Sequence, residues 1–190
     1  MNSTDKPDQS PSHEGELEMR RRLPGPLRLD AQSLAKRVRP EISAALIEFI
    51  QRQPFFFIAT ASDQGDCDAN FRGRNTSPAG RPQPLLIVKD PKTVLFPDFR
   101  GNGFYNSLGN ILLNPHIGML FIDFSEQQRA RINGKAFVED VMPPEAEIWP
   151  DAQAIVRVEV EQAYDNCSAR IPKLKAFSGT TRMVQMKRRR

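Results

Sequence analysis

The sequence has few of the residues that metal sites, disulfide frameworks and catalytic triads require. Its two cysteines, Cys67 and Cys167, form no Cys-x-x-Cys pair, so the sequence predicts neither a disulfide framework nor a zinc site. Its two histidines are His13, near the N-terminus, and His116, which follows Pro115. A Ser-His-Asp triad or a His-rich metal centre is therefore not expected. We interpret His116 as a locally hydrogen-bonded residue at the start of a strand.

Long apolar runs and nucleotide-binding signatures are also missing. The longest strongly apolar stretch, residues 117–122, is far shorter than the roughly 20 residues that span a bilayer, and no apolar signal segment follows the first residues. There is no Walker A motif, and Gly101-Asn102-Gly103 lacks the third glycine of the dinucleotide fingerprint. We therefore expect a soluble, cytoplasmic protein without membrane contact.

The positive charge of the chain is concentrated at its C-terminus. The sequence has 27 lysines and arginines against 23 aspartates and glutamates. Residues 187–190, Lys-Arg-Arg-Arg, account for the whole excess. A folded nucleic-acid-binding domain usually carries its basic patch on its body. Nucleic acid is therefore not the expected partner, and residues 20–22 and 187–190 are the segments that would bind it.

The 190 residues suffice for one domain between two tails. Residues 1–28 combine Asp, Ser, Pro, Glu and Arg with scattered leucines, which predicts a disordered tail with one helical turn near residues 17–22. The folded domain is predicted to span residues 29–178. Residues 179–190 are predicted to form a basic, flexible tail.

Two short helices are expected at the start of the domain. Asp30 is a candidate N-cap for a helix that ends at Val38. Pro40 suits the first turn of a second helix, whose apolar residues recur at three-to-four spacing until Pro54 ends it.

After the second helix the pattern changes to short strands separated by turn residues. The predicted strands are residues 55–61, 67–72, 85–88, 93–96, 117–124, 130–138 and 154–160. In the last of them apolar side chains recur with a period of two from Ala154 to Val160. Six or seven antiparallel strands with few helices predict a mainly β (α+β) fold, arranged as a small barrel because closure removes exposed strand edges.

Residues 98–115 contain the most unusual motif. They predict a short amphipathic helix capped by Asn102, with one apolar side (Phe104, Leu108, Ile111, Leu112) and one polar side (Asn106, Ser107, Asn110). Arg100 precedes Gly101 and Gly103, and glycines allow backbone amides to approach a ligand closely. Together with a helix N-terminus they predict an anion site suited to phosphate. The alternative is an ordinary capped helix across one end of the barrel, with Arg100 solvated.

A second basic cluster, Asp68-Ala69-Asn70-Phe71-Arg72-Gly73-Arg74, lies on one of the predicted strands. Arg72 either completes the same phosphate site or is an edge charge that discourages strand pairing. Phe71, Phe99 and Phe104 are candidates to cover one side of a planar ring, the alternative being an ordinary place in the core. Cys167 is either a thiol in a pocket or a small buried side chain.

The order of several short motifs between residues 40 and 175 carries a family resemblance. The motifs are Phe57-Ile58-Ala59-Thr60-Ala61, Asp63-Gln64-Gly65, Asn70-Phe71-Arg72-Gly73, Phe99-Arg100-Gly101-Asn102-Gly103, Ser107-Leu108-Gly109-Asn110-Ile111, Asn114-Pro115-His116-Ile117-Gly118, Phe121-Ile122-Asp123-Phe124, Asn133-Gly134-Lys135-Ala136 and Ala163-Tyr164-Asp165-Asn166-Cys167. Their spacing resembles that of the pyridoxamine 5′-phosphate oxidase-related flavin-binding proteins. The resemblance implies a split β-barrel, a homodimer, and FMN bound in clefts at the dimer interface.

The resemblance also implies cofactor-binding residues. It puts Arg100, Gly101, Asn102, Ser107 and Asn110 near the FMN phosphate and ribityl chain. It puts Asn70, Phe71 and Arg72 against the isoalloxazine ring. It implies no catalytic side chain and no metal, because the flavin itself carries the hydride. True pyridoxamine-phosphate oxidases have a C-terminal Arg-x-His stretch, whereas no histidine follows His116 here. Pyridoxamine phosphate is therefore not the expected substrate.

From this resemblance we predict an FMN-dependent oxidoreductase that transfers a hydride to or from an unidentified small molecule. NADH or NADPH is the candidate electron donor. The alternative is a flavin carrier or redox sensor without turnover. A deazaflavin or haem is the alternative ligand for the same fold.

Overall fold

The computed structural model describes residues 12–23, 30–77, 80–166 and 168–174. In these residues the chain forms five α-helices and seven β-strands. The helices are α1 (Glu14–Arg22), α2 (Ala31–Arg37), α3 (Ala44–Arg52), α4 (Asn106–Leu113) and α5 (Pro143–Ile148). The strands are β1 (Phe55–Ala61), β2 (Cys67–Gly73), β3 (Ile87–Asp90), β4 (Thr93–Phe99), β5 (His116–Asp123), β6 (Gln128–Glu139) and β7 (Ala152–Asn166). Cys167 and the basic residues 187–190 lie outside the described residues.

The seven strands form one sheet in the order β2-β1-β5-β6-β7-β4-β3. Every neighbouring pair is antiparallel. This confirms the expected six to seven antiparallel strands. The 15-residue strand β7 pairs with β6 on one side and β4 on the other, so it joins the two halves of the sheet.

The sheet curls until its two ends face each other. Phe56 in β1 and Phe96 in β4 have ring centroids 5.2 Å apart, although three strands separate β1 from β4 in the sheet. Arg72 in β2 and Asp98 in β4 are in contact as well, with Nη1 2.6 Å from Oδ1. These contacts between strands that are not neighbours require the barrel-like closure that the strand pattern predicts.

The core fills the inside of the curled sheet. Its most deeply buried side chains include Phe56, Phe96, Phe121, Ile132 and Val156. A second, smaller cluster of Leu95, Trp149 and Ile155 lies beside the first. Trp149 is fully buried, and its indole Nε1 donates to the Pro84 carbonyl oxygen at 2.7 Å. The helix before it, α5, has a proline at its start, a position where the missing amide hydrogen costs nothing.

Helices α2 and α3 differ in how well their starts were predicted. Asp30 caps α2 as expected, since its Oδ1 accepts from the Ser33 amide at 2.7 Å. The hydrogen bonds from Ser33 hold the pKa of Asp30 below its ordinary value. The expectation for Pro40 is wrong, because α3 begins at Ala44 with Ser43 as its N-cap. Arg39 instead pairs with Ala163 through two backbone hydrogen bonds, which ties this segment to β7 as an extended bridge.

Helix α1 is longer than the single turn expected near residues 17–22. It spans Glu14–Arg22, and none of its residues is buried. Ion pairs within the helix, such as Arg22 Nε to Glu18 Oε1 at 2.6 Å, support it where no core does. None of the described helices has the length and apolar character that crossing a bilayer requires.

One glycine is required by the packing of β6 against β7. The pairing of the two strands shifts register between Asn133 and Gly134, and a Cβ on Gly134 would overlap the carbonyl oxygen of Glu159. We expect Gly134→Ala to lower the free energy of unfolding by about 2–3 kcal/mol, because either strand must move. Urea denaturation monitored by circular dichroism measures the loss.

The matched control is Gly109→Ala, in α4. A Cβ there meets no atom within 4 Å, and alanine is the better helix former by about 1 kcal/mol. Equal denaturation midpoints for the two variants would contradict the packing argument.

Candidate functional site

A cleft of about 330 Å³ lies where β2, the end of β4 and the start of α4 meet. Four parts of the chain line it, namely β2, the end of β4, the loop and helix start that follow, and Gln153 at the start of β7. The curled sheet brings β2 and β4 together, and the loop after β4 leads directly into α4. Its walls are Asn70, Phe71, Arg72, Asp98, Phe99, Gly101, Asn102, Gly103, Phe104, Tyr105, Asn106, Ser107, Leu108 and Gln153. The charged residues among them are Arg72 and Asp98.

The loop before α4 contains residues with left-handed backbone, and α4 begins without a side-chain cap. Gly103 has φ +81° and Tyr105 has φ +54°. Tyr105 is the N-cap residue, and its side chain makes no capping hydrogen bond. The prediction that Asn102 caps the helix is therefore wrong. Asn102 Oδ1 accepts instead from the Phe104 amide at 3.1 Å, which closes a turn ahead of the helix.

The predicted apolar side of α4 is only half correct. Ile111 is buried and Leu108 packs partly against the core. Phe104 and Leu112 were expected to face inward, but they are 75% and 72% exposed. Phe104 precedes the first helical residue, so the helical period does not apply to it. Ser107, expected on the polar side, is buried.

Polar side chains link α4 to the first two strands. Ser107 Oγ donates to Asp68 Oδ2 at 3.1 Å and accepts from Asn70 Nδ2 at 3.3 Å. About one helical turn further on, Asn110 Nδ2 donates to Thr60 Oγ1 at 3.1 Å. These bonds fix the helix over the edge of the sheet and orient Ser107 within the cleft wall.

Arg72 and Asp98 form the polar centre of the cleft. Asp98 is almost fully buried, and it accepts from Arg72 Nη1 at 2.6 Å and from Gln153 Nε2 at 2.8 Å. The Arg72 side chain is 18% exposed. Its Nε is buried and has no hydrogen-bond partner. An unpaired buried donor costs free energy, so the cleft holds a donor that a ligand can satisfy.

Six of the eight predicted site residues line this cleft, namely Asn70, Phe71, Arg72, Gly101, Asn102 and Ser107. The other two lie elsewhere. Arg100 lines a neighbouring groove with Asp151, on the far side of a wall that Phe99 and Gln153 share with the cleft. Asn110 is engaged with Thr60. The three aromatic candidates, Phe71, Phe99 and Phe104, all border the cleft.

Sequence reasoning missed Asp98 and Gln153. Asp98 is the first residue of the glycine-containing motif at residues 98–115, and its place at the end of an apolar strand is the one signal that could have marked it. Gln153 has no comparable signal. It reaches Asp98 only because β7 and β4 pair over that stretch of the sheet.

Metal-binding groups are not found near the cleft. No group of three or more His, Cys, Asp or Glu side chains is placed to hold a metal ion within the described residues. His116 starts β5, and its Nδ1 lies 2.8 Å from Asn114 Oδ1, which confirms the local hydrogen bond expected for it. The chemistry of the cleft is that of hydrogen-bond donors, one ion pair and aromatic rings.

Comparison with protein families identifies the chain. The family model for pyridoxamine 5′-phosphate oxidase matches residues 42–185. The chain belongs to this family. The match includes all seven strands and every residue of the cleft. Membership of the family supports flavin binding, and it leaves the reaction open. No curated protein sequence matches the chain significantly.

Two solved structures of HupZ show the same fold. A variant of HupZ from Group A Streptococcus has a TM-score of 0.52 at 17% identity, covering 66% of this chain and 99% of that chain. HupZ itself gives 0.50 at 18% identity, with 65% and 93% covered. A candidate pyridoxamine 5′-phosphate oxidase from Lactobacillus delbrueckii gives 0.49 at 12%, with 67% and 98% covered. The predicted split barrel of antiparallel strands is confirmed.

The ion pair in the cleft yields a stability prediction. Asp98→Asn keeps the size of the side chain but removes the charge that compensates Arg72, so we expect the free energy of unfolding to fall by about 3 kcal/mol. Urea denaturation measures the change. The double variant Arg72→Met with Asp98→Asn should recover much of it, because no buried charge then remains unpaired. A double variant no more stable than Asp98→Asn alone would argue against a buried pair.

Proposed function

We propose that the chain is an FMN-dependent oxidoreductase that transfers a hydride between the flavin and a small molecule. The proposed flavin site is the cleft between β2, β4 and α4. The observation that carries the proposal is Arg72 Nε, a buried donor without a partner in the wall of a cleft bordered by aromatic rings and a helix N-terminus. Family membership supports the same assignment.

The loop before α4 fits the phosphate end of FMN. Gly101 and Gly103 leave the backbone accessible, since a Cβ on either meets no atom within 4 Å. The first turn of α4 presents amides that have no intrahelical partner, and the helix dipole adds a partial positive charge there. Such a helix start binds phosphate oxygens well.

Phe71 and Arg72 fit the ring end. Phe71 is 55% exposed at the cleft, which suits it to pack on one face of a planar ring. Arg72 Nε is suited to donate to a carbonyl oxygen or ring nitrogen on the polar edge. Asp98 and Gln153 hold the guanidinium in place, so less rotational freedom is lost when a ligand binds.

Bound FMN supplies the redox chemistry, in which its N5 accepts or returns a hydride. The residues of the chain bind and orient the flavin, and they exclude water from it. Ser107 and Asn70 fix the wall where α4 meets β2. Because no protein nucleophile or metal is needed, the proposal agrees with the chemistry present in the cleft.

We expect the purified protein to be yellow and to bind FMN in a fluorescence-quenching titration. Phe71→Ala should weaken FMN binding about tenfold, since an aromatic contact of this kind is worth about 1.4 kcal/mol. Met142→Ala removes another exposed apolar side chain, outside the cleft, and should leave the affinity unchanged.

A correctly folded protein that takes up no FMN would overturn the proposal. Mass spectrometry of the copurifying molecule separates FMN from a deazaflavin or a haem. Anaerobic addition of NADH or NADPH then tests turnover. Rapid bleaching of the flavin supports the enzyme, whereas reduction by dithionite alone favours the flavin carrier or redox sensor.

We further propose that the chain is a homodimer in which a second copy closes the cleft. Phe55, Phe57 and Phe71 form an aromatic cluster on the outer face of β1 and β2, with ring centroids 5.3–5.9 Å apart. Phe71 belongs both to this cluster and to the cleft wall. A partner seated on the cluster would therefore also cover the proposed ring site.

Phe57→Lys tests the dimer. Phe57 does not line the cleft, but a charge there should prevent association, so we expect a monomer by light scattering and weaker FMN binding than in the unchanged protein. Met142→Lys places the same charge on another exposed apolar position and should remain dimeric. An unchanged protein that is monomeric at micromolar concentration would contradict the dimer proposal.

A further inference from the structure

A second cavity, of about 430 Å³, lies at the other end of the barrel. It is bounded by the segment from α2 to α3, the start of β6 and the end of β7. Its charged residues are Lys36, Arg37, Arg39, Glu41, Arg129 and Asp165. None of the functional roles considered above involves this cavity.

The second cavity is separate from the flavin cleft. The two share no lining residue. Strand β7 contributes Gln153 to the cleft and Asn166 to the second cavity. At about 3.3 Å per residue these positions are about 40 Å apart along the strand.

The second cavity has an excess of positive charge. Its lining includes four basic side chains and two acidic ones. Of the ion pairs within 4 Å in the described part of the chain, none includes Lys36, Arg37, Arg39 or Arg129. Three of the four are exposed, and exposed cations are commonly just solvated. Arg129, which is partly buried, is therefore the residue that an anion site here requires.

Arg129 and Asn166 carry complementary polar atoms without partners. The two residues are paired across β6 and β7. Arg129 Nε and Asn166 Oδ1 are both buried, and neither has a hydrogen bond. Each such atom costs free energy while it is unpaired. A ligand with an anionic oxygen for Arg129 and a hydroxyl or N–H for Asn166 would satisfy both.

The remaining walls favour a phosphate and an apolar group. The N-terminus of α3 opens on the cavity through Ser43 and Ala45, and it adds partial positive charge. Phe49 and Ala163 form a buried apolar floor. Arginines and a helix start together offer many hydrogen-bond donors. A phosphate monoester has three terminal oxygens to accept from them, whereas a carboxylate has two.

We propose that this cavity binds a small organic phosphate. Arg129 and Arg39 bind the phosphate together with the start of α3, and the organic group packs on Phe49. The site does not depend on the flavin cleft, so it holds whether or not the chain binds FMN.

Phenyl phosphate is the probe, because it combines a phosphate monoester with an apolar ring. We titrate it into the full chain by isothermal calorimetry, with and without saturating FMN. Binding of the same strength in both conditions is expected. Arg129→Gln should weaken it about tenfold, the loss expected for one charge-assisted hydrogen bond.

Arg131→Gln is the matched control, since Arg131 is the next outward residue on β6, stacks on Tyr164 and does not line the cavity. It should bind like the unchanged protein. If Arg129→Gln does not fold, Arg39→Gln takes its place, with a smaller loss of affinity expected because solvent screens an exposed charge. Absence of binding, an equal loss in Arg131→Gln, or competition by FMN would overturn the proposal. Binding of benzoate as tight as that of phenyl phosphate would overturn the choice of phosphate.

Discussion

The contact between Arg72 and Asp98 joins β2, at one end of the sheet, to β4, the second strand from the other end, and both residues line the cleft. Four strands lie between β2 and β4 in the sheet, yet Nη1 and Oδ1 are 2.6 Å apart. Burying a carboxylate this deeply is favourable only when its oxygens are hydrogen-bonded, which Arg72 and Gln153 provide. The planar guanidinium has donors to spare. The interaction that closes the barrel therefore also leaves a donor for a ligand.

Most of the strands were predictable because their signals are local. The turn at residues 63–66 has its glycine at φ +91°, and β1 has the predicted bounds. The sequence also predicts the glycine loop before α4, but it does not predict which side chains lie next to that loop. Arg100 stands next to Gly101 in sequence and lies behind a wall in space. Conversely, Asp98 meets Gln153 only through strand pairing. Sequence spacing does not predict the direction in which a side chain in a turn points, because a residue with left-handed backbone, such as Tyr105, reverses the direction of the chain.

The long strand β7 organises both cavities. Its first residues border the cleft, its last residues border the second cavity, and its middle pairs with two neighbours within the core. The pairing of Arg39 with Ala163 adds a fourth segment near its end. Two ligand-sized spaces can then coexist without sharing a wall. The basic residues that matter in this arrangement are single arginines beside buried polar atoms, Arg72 in the cleft and Arg129 in the second cavity.

Helix α4 begins without a side-chain cap, since Tyr105 makes none. The amides of its first turn then depend on solvent or on whatever enters the cleft. Occupancy of the cleft and stability of the whole domain are thereby thermodynamically linked, because a ligand that satisfies these amides binds the folded state alone. At a hundredfold excess over its dissociation constant such a ligand adds about 2.7 kcal/mol to the free energy of unfolding. The thermal midpoint of the protein thus reports the concentration of its own ligand.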